Sequence, residues 1–187
     1  KNGGNNVLKS PKTRRLIVIA LSLIIAFSFM VPAFAVEKDL THTVTIYVQE
    51  AIRDENDAIQ YTYVYTETPI TVTVDDEDTL KFAVQKACLQ TGSIITNDAW
   101  VPLYPEYLFS LDIDGIPYEN DDNFSYDDPA PGWATYTGLS WMYFDGDPSS
   151  MPASSYSYPI TSLGATAVTE DMTITLSFEF LTFIWQY

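Results

Sequence analysis

Asp75-Asp76-Glu77-Asp78-Thr79-Leu80-Lys81-Phe82-Ala83-Val84-Gln85-Lys86-Ala87-Cys88-Leu89-Gln90-Thr91-Gly92 is the stretch of this chain with a convincing helical pattern, and its reading decides the fold. Leu80, Val84, Ala87 and Cys88 fall at i, i+4, i+7 and i+8, a single apolar stripe on a helix of 3.6 residues per turn. Four acidic residues precede the stripe, where they interact favourably with the positive end of the helix dipole. Asp78 or Thr79 can cap it, and Gly92 is a stop signal. The pattern predicts a helix from Thr79 to Thr91 with its apolar side, Cys88 included, laid on a sheet.

Nearly everything around that helix alternates with the period of a strand. Val44, Ile46 and Val48 share one face; Tyr61, Tyr63 and Tyr65 share another; Ile70, Val72 and Val74 repeat the pattern just before the helix. Beyond it, Trp100 to Glu106 reads as a Pro-broken loop. Tyr107 to Ile113 then alternates up to Asp114-Gly115, a dipeptide suited to a type I′ hairpin turn, and a short strand at Ile116 to Tyr118 returns. Pro117 confines that strand to an edge. Glu119 to Gly132 reads as an acidic, solvated loop, Leu139 to Phe144 as a strand, and 149–159 as an irregular Ser/Tyr/Pro stretch. Met172, Ile174, Leu176, Phe178 and Phe180 alternate with Thr173, Thr175, Ser177 and Glu179 in the cleanest strand of the sequence. One helix among six or more strands implies an α+β, mostly β domain with the helix packed on one face of its sheet.

The amino terminus carries an address. Lys9, Lys12, Arg14 and Arg15 lead into the apolar run from Leu16 to Val31, which ends at Ala33-Phe34-Ala35, the layout of a secretory signal with small residues at the cleavage positions. The run is about 15 residues, short of the roughly 20 that cross a bilayer, so cleavage is expected rather than an uncleaved anchor. Thr13-Arg14-Arg15-Leu16 grazes the twin-arginine export pattern, but the apolar core favours the general secretory route. The first residue is Lys, so the sequence is expected to begin just inside its true start.

Residues 1–35 are thus expected to be a signal peptide and 36–187 a single extracytoplasmic domain, secreted or displayed at the cell surface. All 25 acidic residues lie in that domain, against four of the nine basic ones, a net of −21. Such a surface repels nucleic acid and anionic membrane, which excludes both as partners of the processed protein. Cys88 is the only cysteine, so the chain can build neither an internal disulfide nor a Cys-based zinc site.

Catalytic signals are weak. The single His42 has no supporting triad context, Ser140 and Ser149 lack a nucleophile elbow, and paired carboxylates cannot be recognised from spacing alone. Acidic clusters such as Asp121-Asp122-Asn123 offer oxygen ligands for calcium, but none has EF-hand spacing, and solvated turns explain them more simply. A non-enzymatic protein without a metal site is the expectation. The 13 Tyr and 4 Trp suit a sugar-binding surface, although aromatic residues are also good strand formers.

The order of motifs resembles a known family. The strand Ile70 to Val74, Asp78-Thr79-Leu80 opening a helix, Leu111-Asp112-Ile113-Asp114-Gly115-Ile116, Trp141-Met142-Tyr143-Phe144-Asp145-Gly146 and the final alternating strand together resemble the transcobalamin C-terminal-like (DUF4430) domain. The resemblance covers 68–180 and leaves 36–67 as extra strands. Phe144-Asp145-Gly146 stands for the family's Val-Asn-Gly, and Glu170-Asp171 stands where Gly-Asp is usual. The family implies a β-grasp-like sheet and, as ligand, cobalamin or a similar small molecule.

A corrinoid would need a concave apolar surface with a few hydrogen-bonding groups, for which Trp133, Trp141, Tyr143 and Tyr136 are the candidates. Trp141 and Tyr143, two apart on one strand, fit the core better than a ligand surface, whereas Trp133 after Pro131-Gly132 is the better exposed aromatic. The leading expectation is an exported ligand-binding module. The alternative is a structural or adhesive surface module that contacts a protein or glycan. Amino-terminal sequencing of the exported protein is expected to start at Val36, and a chain still carrying 1–35 would instead mark an anchor.

Overall fold

The computed structural model describes residues 40–54, 56–101, 104–159 and 161–187. The expected signal peptide and residues 36–39 lie outside them. Nine strands and one α-helix follow in the order β1 (Thr41–Arg53), β2 (Ile59–Val64), β3 (Ile70–Asp75), α1 (Leu80–Gln90), β4 (Asp98–Val101), β5 (Tyr104–Ile113), β6 (Ile116–Glu119), β7 (Phe124–Tyr126), β8 (Trp133–Asp145) and β9 (Met172–Gln186). The domain is α+β and mostly β, a β-grasp-like sheet with the helix packed against it.

Six strands form the main sheet, in the order β2-β1-β9-β8-β7, with β3 sharing the β1 edge. β1 is long enough to serve two partners, pairing β3 antiparallel through Thr41 to Ile46 and β2 through Gln49 to Arg53. Its other edge runs parallel to β9, from Val44 opposite Met172 to Ala51 opposite Glu179. β9 then pairs antiparallel with the whole of β8, from Trp133 opposite Gln186 to Asp145 opposite Ile174. The stretch 36–67, outside the family resemblance, therefore contributes a central strand. A second sheet, β4-β5-β6, adds Leu108, Leu111 and Ile113 to the same core.

The helix forms where its stripe predicts and buries Leu80, Ala83, Val84, Ala87 and Cys88. Against them lie Val44, Ile46 and Val48 of β1, Ile70, Val72 and Val74 of β3, and Ile174, Leu176 and Phe178 of β9. Thr79 is the N-cap, accepting from the Phe82 backbone N–H over 3.3 Å, while Asp78 turns back to accept from Asp75 N–H. The helix stops one residue before the expected glycine: Thr91 caps it with φ −84°, and its hydroxyl donates to the Ala87 carbonyl. Burial, with the Asp98 charge adding to it, pushes the Cys88 thiol up to about 12, as expected of a packing residue. Lys86 and Gln90 donate to the carbonyls of Thr73 and Thr71, so side chains of the helix cover part of the β3 backbone.

Asp114-Gly115 makes the predicted two-residue turn, with φ of 52° and 80°, between paired Ile113 and Ile116. Two expected loops prove to hold strands. The Pro-broken segment near Trp100 contains β4 and the start of β5, joined through register shifts that blur the alternation. The acidic segment after Glu119 contains β7, only three residues long and hence without a readable period. β8 also starts at Trp133 rather than Leu139.

The sheet face turned away from α1 is buried too, and beside Phe144 and Leu181 it holds a polar cluster of Gln49, Arg53, Thr175, Ser177 and Glu179. The segment 147–158 lies over it, pinned by Arg53 at the end of β1. Arg53 Nε donates to Glu179 Oε2 over 2.8 Å, Nη1 donates to the carbonyls of Asp57 and Ala153, and Nη2 donates to the Pro152 carbonyl and the Tyr158 hydroxyl. Every guanidinium N–H has an acceptor. The two side chains are 2% and 0% exposed. Burial opposes the Arg53 charge, but the bonds to Glu179 and Tyr158 outweigh it and leave the guanidinium above its ordinary range. Tyr158 donates to Glu179 Oε1, and burial beside that carboxylate raises its hydroxyl well above the usual tyrosine range.

Removing one member of such a pair leaves an uncompensated buried charge, at a cost of about 3–5 kcal/mol. Arg53→Ala is expected to lower the urea-unfolding free energy by that amount. Limited proteolysis of the same variant is expected to cut first within 147–158, while the parent resists.

Candidate functional site

β8 carries all four aromatic residues singled out from the sequence, and its two ends bury opposite faces. From Leu139 onward the odd-numbered side chains face α1, so Trp141 and Tyr143 are buried in the main core. At the other end Ala134 and Tyr136 are the buried ones, on the face away from the helix. Trp133 is partly exposed at the start of the strand. It stands eight residues from Trp141, about 27 Å at the rise of a strand. The four rings therefore do not converge on one cleft.

Their polar atoms are committed within the fold. Trp141 Nε1 donates to the Tyr118 carbonyl over 2.8 Å, and the indole packs on Phe178 with ring centroids 5.1 Å apart. The Tyr143 hydroxyl lies 3.0 Å from Thr161 Oγ1 and 2.9 Å from Thr166 Oγ1, which ties β8 to the segment before β9. Tyr136 donates to the Leu139 carbonyl, and burial pushes its hydroxyl up to about 12. Trp141 and Tyr143 do edge a shallow depression with Tyr107, Pro159, Thr161 and Leu163, but it holds only about 70 Å³. Small-molecule sites typically offer roughly 300–1,000 Å³.

The accessible aromatic surface lies elsewhere, on the ribbon where β7, the start of β8 and the end of β9 extend past the helix. Cross-strand register puts Phe124 opposite Tyr136 and Ala134 opposite Trp185, so β7 and β9 present their rings on one face. Phe124 packs on Tyr136 at 5.1 Å and on Trp185 at 6.2 Å, and Tyr126 packs on Tyr187 at 5.7 Å. Phe124, Tyr126, Trp185 and Tyr187 remain 50%, 68%, 37% and 63% exposed. Tyr187 donates to Asp127 Oδ1, which also accepts from the Gly132 N–H and so fixes the turn between β7 and β8.

Sequence reasoning missed this face, because Phe124 and Tyr126 stood in an expected loop and β9 was read only to Phe180. The signal available was Leu181, Phe183 and Trp185, an apolar alternation on the odd-numbered face of β9, opposite to the one that carries Met172 to Phe180. At the far side of the sheet, Tyr61 and Tyr63 on β2 are also exposed, and Tyr63, Tyr65, Tyr118, Phe178 and Trp141 form an unbroken run of ring contacts from that edge to the core.

The charged residues mostly build turns. Asp121 Oδ2 accepts from the Leu139 N–H, Asp54 Oδ1 from the N–H groups of Asn56 and Ala58, and Asp147 Oδ1 from Ser149 N–H. His42 Nε2 lies 2.9 Å from Asp76 Oδ1. Among the described residues no three His, Cys, Asp or Glu side chains gather as a metal site, and no helix is long and apolar enough to cross a membrane. No family model matches the chain, and no curated protein matches it in sequence.

A core role and a surface role separate on mutation. Trp141→Phe, which strands the Tyr118 carbonyl, is expected to cost about 1–3 kcal/mol in denaturant unfolding. Trp133→Phe is expected to stay within about 0.5 kcal/mol of the parent.

Proposed function

We propose that this chain is an exported, non-enzymatic interaction module that meets a protein or glycan at the cell surface through the aromatic face of its β7-β8-β9 ribbon. The observation that carries this reading is the group Phe124, Tyr126, Trp185 and Tyr187, four rings left substantially exposed on one side of a paired ribbon. Exposed apolar patches of this kind mark interaction surfaces, and Tyr and Trp supply large contact area at small entropic cost. The net charge of −21 after signal removal restricts the partner to a neutral or basic surface. Kinship with the transcobalamin C-terminal-like domain belongs to the same reading, supported by the mixed sheet wrapped on one helix.

Cobalamin itself finds less support. The depression beside Trp141 is several times too small for a corrin, Trp141 and Tyr143 are turned into the core, and Trp133 and Tyr136 lie away from them.

The test is co-sedimentation of the processed protein with cell envelopes and with insoluble neutral polysaccharides, beside a cobalamin titration read by visible absorbance. Binding to an envelope or polysaccharide fraction, weakened at least tenfold in the Tyr126→Ala/Trp185→Ala variant, is the expected outcome. Saturable cobalamin binding at micromolar concentration, or envelope binding indifferent to that variant, would overturn it.

A further inference from the structure

Gln49 of β1 and Ser177 of β9 are register partners in the parallel pair, on the face covered by 147–158. Both are 0% exposed. Gln49 Nε2 donates to Ser177 Oγ over 3.1 Å, and Ser177 Oγ donates to Glu179 Oε1 over 2.5 Å. The Glu179 carboxylate is fixed from its other side by Arg53 at 2.8 Å and from above by Tyr158. A hydroxyl held between a carboxylate that can take its proton and a carboxamide it can attack has the layout of an activated nucleophile facing an acyl group. Gln49 Oε1 is, among the described residues, the one buried side-chain polar atom without a hydrogen-bond partner. A buried amide oxygen left in that state is costly, so it requires an explanation.

We propose that Gln49 and Ser177 react to form an intramolecular ester that cross-links β1 to β9. Ser177 Oγ attacks Gln49 Cδ while its proton passes to Glu179. The C–N bond of the tetrahedral intermediate then breaks as Glu179 returns that proton to the departing nitrogen. An amide and a hydroxyl become an ester and ammonia, with no change of oxidation state and no co-reactant. Ammonia is protonated and diluted outside the fold, which makes the step irreversible in practice. The product is shielded from hydrolysis by the same burial that excludes water from the pair. The reaction also removes the buried NH₂ group and turns the orphaned amide oxygen into an ester oxygen, a weaker acceptor that loses less when unpaired. An exported chain with a single cysteine has no internal disulfide, and this bond would tie its first and last strands covalently. The inference does not depend on the proposed binding partner.

Intact-mass measurement of the wild-type protein in denaturant tests it directly. Loss of ammonia is expected to place the mass about 17 Da below that of the sequence from the observed amino terminus. Trypsin cuts after Lys38, Arg53 and Lys86, so Gln49 lies on fragment 39–53 and Ser177 on fragment 87–187. These two are expected to stay joined, to separate with hydroxylamine, and to be separate from the outset in Ser177→Ala. A wild-type mass equal to that of the sequence overturns the proposal. So does a 17 Da loss with the two fragments apart, which is the signature of an asparagine succinimide instead.

Discussion

The parallel pairing of β1 with β9 is the constraint on which the other elements depend. A parallel pair cannot be closed by a tight turn, so the chain between Arg53 and Met172 needs a long crossover to bring β9 back beside β1. The helix and the second sheet lie on that crossover, while β2, β3, β7 and β8 within it join the same sheet as β1 and β9. β9 pairs with β1 along one edge through Met172 to Glu179 and with β8 along the other through Ile174 to Gln186, and its even-numbered residues give α1 a floor of Ile174, Leu176 and Phe178. Because the partners lie far apart in sequence, loop-closure entropy must be met before these contacts form, which places the domain among slow, topology-limited folders.

Two chemically different interiors share this sheet. On the helix side the side chains are almost wholly apolar, and their burial is the main driving force of the fold. On the other side Gln49, Arg53, Thr175, Ser177 and Glu179 are buried beneath a segment with little regular structure. Arg53 donates to the backbone carbonyls of that cover, the Asp57 carboxylate accepts from Ser154 Oγ and Ser155 N–H, and Tyr158 packs on Phe144. Its order is therefore tied to one guanidinium at the end of β1 and one carboxylate in the turn that follows.

The helix and the strands flanking it were legible because each has one buried face and a clean period. Thr79 to Thr91 is recovered to within a residue, and Ile70 to Val74 and the alternation from Met172 to Phe178 are recovered in place. What escaped has identifiable causes. β7 is too short to show alternation, and β4 meets β5 through irregular register. β8 changes its buried face partway along, so no single alternation marks its start at Trp133. Of the four candidate site residues, the expectation of a core role for Trp141 and Tyr143 agrees with their burial, while the clustering of all four does not occur. Glu179 looked like an outward-facing strand residue, and nothing periodic in 149–159 signalled that a second layer would cover it.

The placement of β1 and β9 also governs how the domain meets mechanical load. Tension applied at the amino end of β1 and the carboxyl end of β9 draws two neighbouring parallel strands in opposite directions along their own axes. The hydrogen bonds from Val44–Met172 to Ala51–Glu179 are then stressed in shear and must fail together rather than unzip one by one. A protein stretched between a cell and whatever it grips would meet its greatest resistance along that seam.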